Sequence, residues 1–234
     1  MKSPKKLILI ISAGFIALLL LMPSCGPSKI EQGEITFDIT YPFNPDLSAT
    51  MKLVLPKEAT FIFKGSKMLT IVKTGKIFRT EIYAEETAKI LEMRLDFGSD
   101  DFYTILDNQD QKDFMASLPN YTVTPTDTED SLKGLWAKKY KVKYDSDTIP
   151  EFESWFTEQL SLQSITWFSN YTSITGTPLI YDIDQYGIRM HFEISNFKAR
   201  EVDDKEFTRD PVLKEIPYKE YNRKLVELFE VILS

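Results

Sequence analysis

Apolar and polar residues alternate along most of this chain, and that period of two restricts the fold more than any other feature of the sequence. Ile35, Phe37, Ile39 and Tyr41 are separated by single polar residues. Successive side chains of a β-strand point to opposite faces, so this pattern puts one face on a core and the other in solvent. Residues 34–41 are therefore predicted to form a half-buried strand of an antiparallel sheet.

Similar segments follow, separated by turn residues. Gly65 and Ser66 join two of them in a tight hairpin, because glycine supplies the positive φ that such a turn requires. The pattern predicts about ten to eleven strands in all, among twelve candidate segments of which residues 34–41 are the first. The further candidate segments are residues 59–64, 67–73, 77–84, 89–96, 102–106, 112–118, 137–144, 151–157, 164–168, 178–182 and 188–197. Residues 119–131 are predicted to be a loop.

Two helices are expected beside the sheet. Asp46 is suited to begin a short helix over residues 46–55, which Pro56 ends. After Pro217, apolar residues recur at spacings of three and four, which is typical of an amphipathic helix. These residues are Tyr218, Tyr221, Leu225, Leu228, Phe229 and Ile232. The favoured role of this helix is to pack across the sheet or its open edge, and the alternative is to bind a partner or a membrane.

The N-terminus has the features of a secretory signal peptide over residues 1–24. Three lysines precede an apolar run from Leu7 to Met22, which is the order such signals show. The run is shorter than the roughly 20 residues of a membrane-spanning helix, and Pro23 ends it. Residues 22–24 before Cys25 resemble a bacterial lipobox. Cys25, the single cysteine of the chain, is therefore predicted to be the lipidated first residue of the mature protein.

Three segments are expected from Cys25 to the end of the sequence. Residues 25–33 are predicted to be a lipidated tether, residues 34–217 one β domain, and residues 218–234 the helix that follows it. The net charge is −7, and it becomes −10 once the three lysines of the signal peptide are removed. An acidic surface without a concentrated basic patch does not favour nucleic acid as a partner.

Three short motifs resemble an uncharacterised group of lipoproteins from Bacteroidota. The first is a glycine and an aromatic residue before a lysine-rich strand, in Leu132 to Tyr140. The second is an aromatic strand with tryptophan, in Glu153 to Thr157, and the third is the Gly-x-Pro-Leu segment Gly176 to Leu179. The likeness extends over about residues 33–217, with the first half matching only in the layout of its strands.

Domains of this group resemble the lipoprotein carriers LolA and LolB. The resemblance implies a mainly β fold: a curved antiparallel sheet that forms an unclosed half-barrel, with a hydrophobic cavity on its concave face. A curved sheet can also fill its interior with side chains, so a solid core is the alternative. If a ligand site exists, its candidate residues are the aromatic side chains of the second half. These are Trp155, Phe156, Trp167 and Phe168.

Catalytic patterns are missing from the sequence. His191 is the single histidine and lies in a predicted strand on its polar face, so neither a zinc site rich in histidine nor a serine-hydrolase triad is expected. The loop carboxylates do not have the spacing of a calcium-binding loop, and glycine-rich phosphate loops are lacking. We expect no enzyme, no metal and no cofactor.

The sequence thus favours a lipid-anchored protein of the cell envelope that binds or carries a hydrophobic ligand, such as an acyl chain, a lipid or a lipoprotein. The expected location is the outer membrane, facing the periplasm. A non-enzymatic assembly lipoprotein that docks another envelope protein is the first alternative. A carbohydrate-active enzyme is the second, because paired carboxylates need only meet in space.

Overall fold

The computed structural model describes residues 29–44, 47, 48, 51, 53, 55–74, 78–97, 100–145, 150–162, 165–169, 171–185 and 187–233. The predicted signal peptide and Cys25 lie outside these residues. So does half of the predicted helix over residues 46–55. Within that segment, Met51 and Leu53 have helical backbone, and the Met51 amide donates to Ser48 Oγ over 3.1 Å, a contact typical of the first turn of a helix.

One sheet of twelve strands dominates the described residues, in the order β12-β6-β5-β4-β3-β2-β1-β11-β10-β9-β8-β7. The strands are β1 Gln32–Thr40, β2 Glu58–Lys64, β3 Lys67–Thr74, β4 Phe78–Glu85, β5 Ile90–Phe97, β6 Asp100–Ile105, β7 Tyr121–Leu132, β8 Leu135–Tyr144, β9 Phe152–Thr157, β10 Thr177–Gln185, β11 Ile188–Lys198 and β12 Lys214–Glu215. All pairs are antiparallel except β6 with β12. Because β7 and β12 are edges, the sheet is unclosed, which confirms the predicted mainly β, curved and open architecture.

The central strand β1 shows why the alternation produces this sheet. Ile35, Phe37 and Ile39 are buried, whereas Asp38 and Thr40 between and after them are exposed. Phe37 has no exposed surface, and its ring lies 4.6 Å from that of Phe61, measured between ring centroids. The apolar face of β1 is thus part of the main core, which lies on the concave side of the sheet.

A second, smaller cluster lies on the convex side. Ile62 and Leu69 of the sheet pack there against Val202 and Phe207, which follow β11. The buried Arg94 fixes this following segment, because it donates to the Phe207 carbonyl over 2.9 Å and forms an ion pair with Glu92 over 2.7 Å. A buried charge is tolerated only with such partners. The chain after β11 is therefore fastened across the back of the sheet.

Helices α1 (Asn108–Ser117) and α2 (Tyr218–Leu233) cover the concave side. Helix α1 begins at Asp107, whose carboxylate accepts from the amides of Gln109 and Asp110, as an N-cap does. Residues 112–117 are therefore helical, and the strand predicted over residues 112–118 is wrong. Helix α2 confirms the predicted C-terminal amphipathic helix, and its buried residues Tyr221, Leu225 and Leu228 belong to the main core.

Two more predictions of local structure are wrong. Residues 119–131 are not a loop but mostly the edge strand β7, whose register to β8 shifts between Pro125 and Glu129. The segment predicted as a strand at residues 164–168 contains a 3-10 helix, Ile165–Phe168. Strand β7 is ordered by its pairing with β8, which the local residue pattern does not encode.

The sheet has two distinct ends, which we call the Ile30 end and the Gly187 end. At the Ile30 end lie the β2–β3 turn at Gly65, the β7–β8 turn at Gly134 and the first residues of β1, since Gln32 pairs with Lys64. At the Gly187 end lie the β10–β11 turn and the last residue of β1, since Thr40 pairs with His191. No helix among the described residues is long and apolar enough to cross a bilayer.

The central position of Phe37 gives a first testable prediction. Replacement of Phe37 by Ala removes a fully buried ring and should lower the free energy of unfolding by about 3–5 kcal/mol. Urea denaturation followed by circular dichroism measures this change. Val212→Ala is the control, because Val212 is 65% exposed, and a loss of equal size in both variants would contradict the central role of Phe37.

Candidate functional site

An apolar cavity lies between the concave face of the sheet and helix α2. Strands β2 to β5 form one wall and strands β10 and β11 form another. Helix α2 covers the space with Tyr218, Tyr221, Leu225 and Phe229, and helix α1 adds Phe114. The cavity exists because the sheet is covered by helices rather than closed by further strands.

The lining is almost free of charge. Among the described residues, Glu81 is the single ionised side chain in it. Its carboxylate is engaged by guanidinium groups, with Arg94 at 2.9 Å and Arg79 as second partner. A charged ligand group would find no free counter-charge among these lining residues, so the walls favour an apolar ligand.

The size of the cavity also fits an apolar ligand. Its volume is about 210 Å³, which exceeds the roughly 150 Å³ of an engineered apolar cavity that binds benzene. It is smaller than the roughly 300–1,000 Å³ of pockets that enclose drug-sized ligands. The space therefore suits one short stretch of hydrocarbon rather than a bulky ring system.

The cavity is closed at the Ile30 end. Side chains next to the turns at this end are buried, with exposed fractions of 0% for Phe63, 3% for Met68 and 3% for Ala84. Beneath them, Leu160 and Leu162 are 1% exposed. Close packing of this kind leaves no passage for a ligand.

The opening lies on the concave face toward the Gly187 end. Some of the lining residues on the strands are partly exposed, and all of these lie away from the turns of the Ile30 end. They are Thr70, Val72, Thr80, Glu81, Ile82, Ile183 and Met190.

Buried tyrosines add polar groups without adding charge. Burial raises the pKa of both Tyr171 and Tyr181 well above the ordinary value, so both stay neutral at physiological pH. Tyr171 Oη donates to the carbonyl of Asp182 over 2.7 Å, and the Tyr181 ring stacks on Phe192 at 4.9 Å. Each phenol thus shapes the wall rather than supplying a reactive group.

The structure separates the four aromatic residues that the sequence singled out. Phe168 lines the cavity. Phe156 is 2% exposed and lies in the main core, with its ring 5.3 Å from that of Tyr171. Trp155 and Trp167 are partly exposed, and Lys139 and Lys89 respectively place their Nζ atoms 5.0 and 5.1 Å from the centres of the indole rings.

Most lining residues come from elements that the sequence did not mark as a site. Met68, Val72, Ile82, Ile183 and Met190 are ordinary apolar positions of alternating strands. Their alternation predicted the face on which they lie, but it did not predict which of them surround a void. The apolar stripe of α2 was the one further signal, because a helix that packs across an open sheet must cover that face.

A buried ion cluster lies on β10 and β11 beside the cavity wall. The Asp182 side chain is 1% exposed and bonds to both Arg189 and His191, at 2.8 Å to Nε and 2.7 Å to Nδ1. The Arg189 guanidinium also lies 3.9 Å from the centre of the Phe43 ring, and the Arg189 amide donates to Asn44 Oδ1. The cluster joins the β10–β11 hairpin to the segment that follows β1.

The contacts of this cluster indicate a structural role for His191, which the sequence predicted to be a solvated strand residue. The residue is instead half-buried, and its hydrogen bond to Asp182 raises its pKa above the usual value. No serine, threonine or cysteine hydrogen bond to its ring occurs among the described residues, so the nucleophile of a triad is not in place. The described side chains also contain no group of three or more His, Cys, Asp or Glu residues able to hold a metal ion.

Comparisons with known proteins agree with the fold and do not add a function. No family model matches the sequence, and no curated protein does. The solved structure of PNGF-II has a TM-score of 0.51 at 16% identity, over 83% of this chain and 33% of that one. The chain thus spans about a third of PNGF-II, and the similarity concerns the fold alone.

Two weaker structural neighbours were also found. MucB has a TM-score of 0.41 at 11% identity, over 79% of this chain and 59% of that one. A LolA superfamily protein from Nitrosomonas europaea has a TM-score of 0.21 at 12% identity, over 77% of this chain and 91% of that one. Both scores lie below the level at which two chains share a fold. The resemblance to LolA is therefore weak, and membership of a Bacteroidota lipoprotein group stays a prediction.

The Asp182–His191 pair gives a prediction about pH. The pKa of His191 is raised in the folded protein. The hydrogen bond therefore stabilises the fold fully below the pKa of about 6.5 that histidine has in the unfolded chain, and this stabilisation is lost as the pH rises through the folded-state pKa of His191. His191→Gln keeps an N–H donor but cannot gain a charge. We expect the variant to lose more stability relative to the wild type at about pH 5.5 than at about pH 9.

Urea denaturation of both proteins at the two pH values measures this difference. The control is the same pair of measurements on Val212→Ala, whose side chain is exposed and carries no charge. An equal destabilisation by His191→Gln at both pH values would show that the ion pair does not contribute.

Proposed function

We propose that this protein is a lipid-anchored envelope protein whose half-barrel domain binds a hydrocarbon chain in the cavity under helix α2. The observation that carries the proposal is an apolar space of about 210 Å³ that is closed at the Ile30 end and open toward the Gly187 end. A purely structural core would be filled by side chains, because voids of this size are destabilising.

The volume of the cavity indicates how many methylene groups it holds and how much their burial contributes to binding. A volume of 210 Å³ equals the share of about seven liquid water molecules, so about six to eight methylene groups fit without rearrangement. At about 0.8 kcal/mol for each buried methylene, this gives about 5–6 kcal/mol. Association also costs freedom of motion, so the net binding free energy is smaller and a bound ligand is released again.

The lining argues for a carrier or binding protein rather than an enzyme. The one ionised lining residue, Glu81, is held by arginines, and the buried tyrosines stay neutral. General acid–base chemistry needs a titrating group that reaches the ligand, and the described lining does not offer one. The proposed ligand class is therefore the acyl chain of a lipid, a fatty acid or an acylated protein.

The proposed anchor is the lipid on Cys25. The apolar run before it, Pro23 and the small Ser24 support cleavage at the cysteine and attachment to a membrane of the cell envelope. We place the protein on the outer membrane, facing the periplasm. Stable anchoring requires more than one acyl chain, which a mature lipoprotein carries.

Binding is tested with a fluorescent fatty acid added to the delipidated domain. The wild type should enhance the fluorescence and saturate, and decanoic acid should displace the probe. Val72 lines the cavity and is partly exposed, so Val72→Trp should fill the space and weaken binding at least tenfold, a change of about 1.4 kcal/mol.

The matched control is Lys73→Trp. Lys73 is the next residue of β3 and is exposed on the opposite face, so this variant introduces the same indole without entering the cavity. It should bind like the wild type. Equal affinity of all three proteins, or saturable binding by none of them, would refute the cavity as the binding site, and the latter result favours the assembly-protein alternative.

The anchor is tested by Cys25→Ser in a bacterial host. The wild type should appear in the membrane fraction, with a mass that includes the acyl chains and excludes residues 1–24. Cys25→Ser should remain unlipidated and uncleaved at this site, because the thiol is needed for acylation. Lipid-free wild-type protein, shown by mass spectrometry, would contradict the proposed anchor.

A further inference from the structure

The place where the tether meets the domain is fixed by hydrogen bonds. The Ile30 amide donates to the Gln159 carbonyl over 2.8 Å, and the Ile30 carbonyl accepts from the Ser161 amide over 2.9 Å. The Ile30 side chain packs against the main core. Ile30 is therefore attached to the domain by its backbone and its side chain.

The proposed lipid is close to this point along the chain. Four residues lie between Cys25 and Ile30, and a fully extended chain covers at most about 18 Å over these five residue-to-residue steps. The 11 residues of β11 extend over about 36 Å at roughly 3.3 Å per residue. The Ile30 end is thus held near the bilayer, whereas the tether cannot reach the Gly187 end.

An exposed tryptophan lies beside the same point. Trp136 is 52% exposed, although it is a large aromatic residue. Its amide donates to Gln159 Oε1 over 2.6 Å, and its indole Nε1 donates to Glu129 over 2.8 Å. Gln159 therefore connects Trp136 to Ile30. An indole with a satisfied N–H and an exposed ring is suited to the layer of lipid headgroups.

The charges at this end are largely balanced. Lys64 and Lys67 share Asp204, and Lys138 pairs with Glu158. This surface therefore has no strong attraction to anionic lipid, and it has no need of one when a tether supplies the attachment. A zwitterionic bilayer is the appropriate partner for a test.

We propose that the Ile30 end of the domain rests on the phospholipid bilayer, with the Trp136 ring among the headgroups and the cavity opening directed away from the membrane. The inference rests on the lipid anchor at Cys25 of the proposed function. In this orientation the anchoring bilayer lies against the closed end of the cavity. Ligand is therefore exchanged with the aqueous compartment and not with the membrane below.

The test uses Cys25 as the single cysteine. The mature chain from Cys25 is coupled to a maleimide phospholipid in phosphatidylcholine vesicles that carry a spin-labelled quencher near the headgroups. Trp155→Phe with Trp167→Phe leaves Trp136 as the one tryptophan. We expect quencher lipid to reduce its fluorescence several-fold more in coupled protein than in uncoupled protein mixed with the same vesicles.

The matched control carries its one tryptophan at the other end. Phe43 is 42% exposed and packs on Arg189 at the Gly187 end, so Phe43→Trp is combined with replacement of Trp136, Trp155 and Trp167 by Phe. This protein should show no additional quenching on coupling. Circular dichroism of both variants verifies that each is folded.

Two outcomes overturn the orientation: quenching of the Phe43→Trp protein that equals or exceeds that of Trp136, or absence of quenching at Trp136. Fatty-acid binding is measured on the same vesicle-bound proteins. Retained binding with the wrong quenching pattern rejects the orientation alone, whereas loss of binding in the wild type rejects the proposed function.

Discussion

The concave face of an unclosed sheet is buried only if other parts of the chain lie over it, and the rest of this structure depends on that requirement. Helices α1 and α2 supply the cover, through Phe114 and through Tyr221, Leu225 and Leu228. A helix cannot match the curvature of a strand-lined trough along its whole length. The apolar cavity is the part of the trough that the helices leave unfilled.

Buried ion pairs also stabilise the sheet. Arg94 with Glu92 attaches the segment around Phe207, and Asp182 holds Arg189 and His191 on the β10–β11 hairpin. Breaking a buried pair on one side typically costs about 3–5 kcal/mol, because the remaining charge stays buried. These ion pairs favour a single position of the β10–β11 hairpin. Ile183 and Met190 of this hairpin line the cavity.

The sequence predicted the parts of the fold that local periodicity encodes. Alternation located β1 around Phe37, and the spacing of Tyr221 and Leu225 located α2. It failed at residues 112–118, where Asp107 caps a helix, and at β7, where pairing with β8 orders a polar segment. The cavity lining was harder to predict than the fold. The sequence analysis named Phe168, but whether Val72 and Met190 line the cavity depends on distances between strands, which no local pattern contains.

The edge strand β7 has a consequence for molecules that share one surface. The proposed lipid anchor would confine copies to two dimensions and raise their local concentration, so an unpaired edge would favour growth of one sheet into the next. Pro125 interrupts the row of amide donors, and the register shift before Glu129 bends the strand. Asp127 and Asp130 add charge to the same strand. These features oppose pairing of β7 with the edge strand of a neighbouring copy.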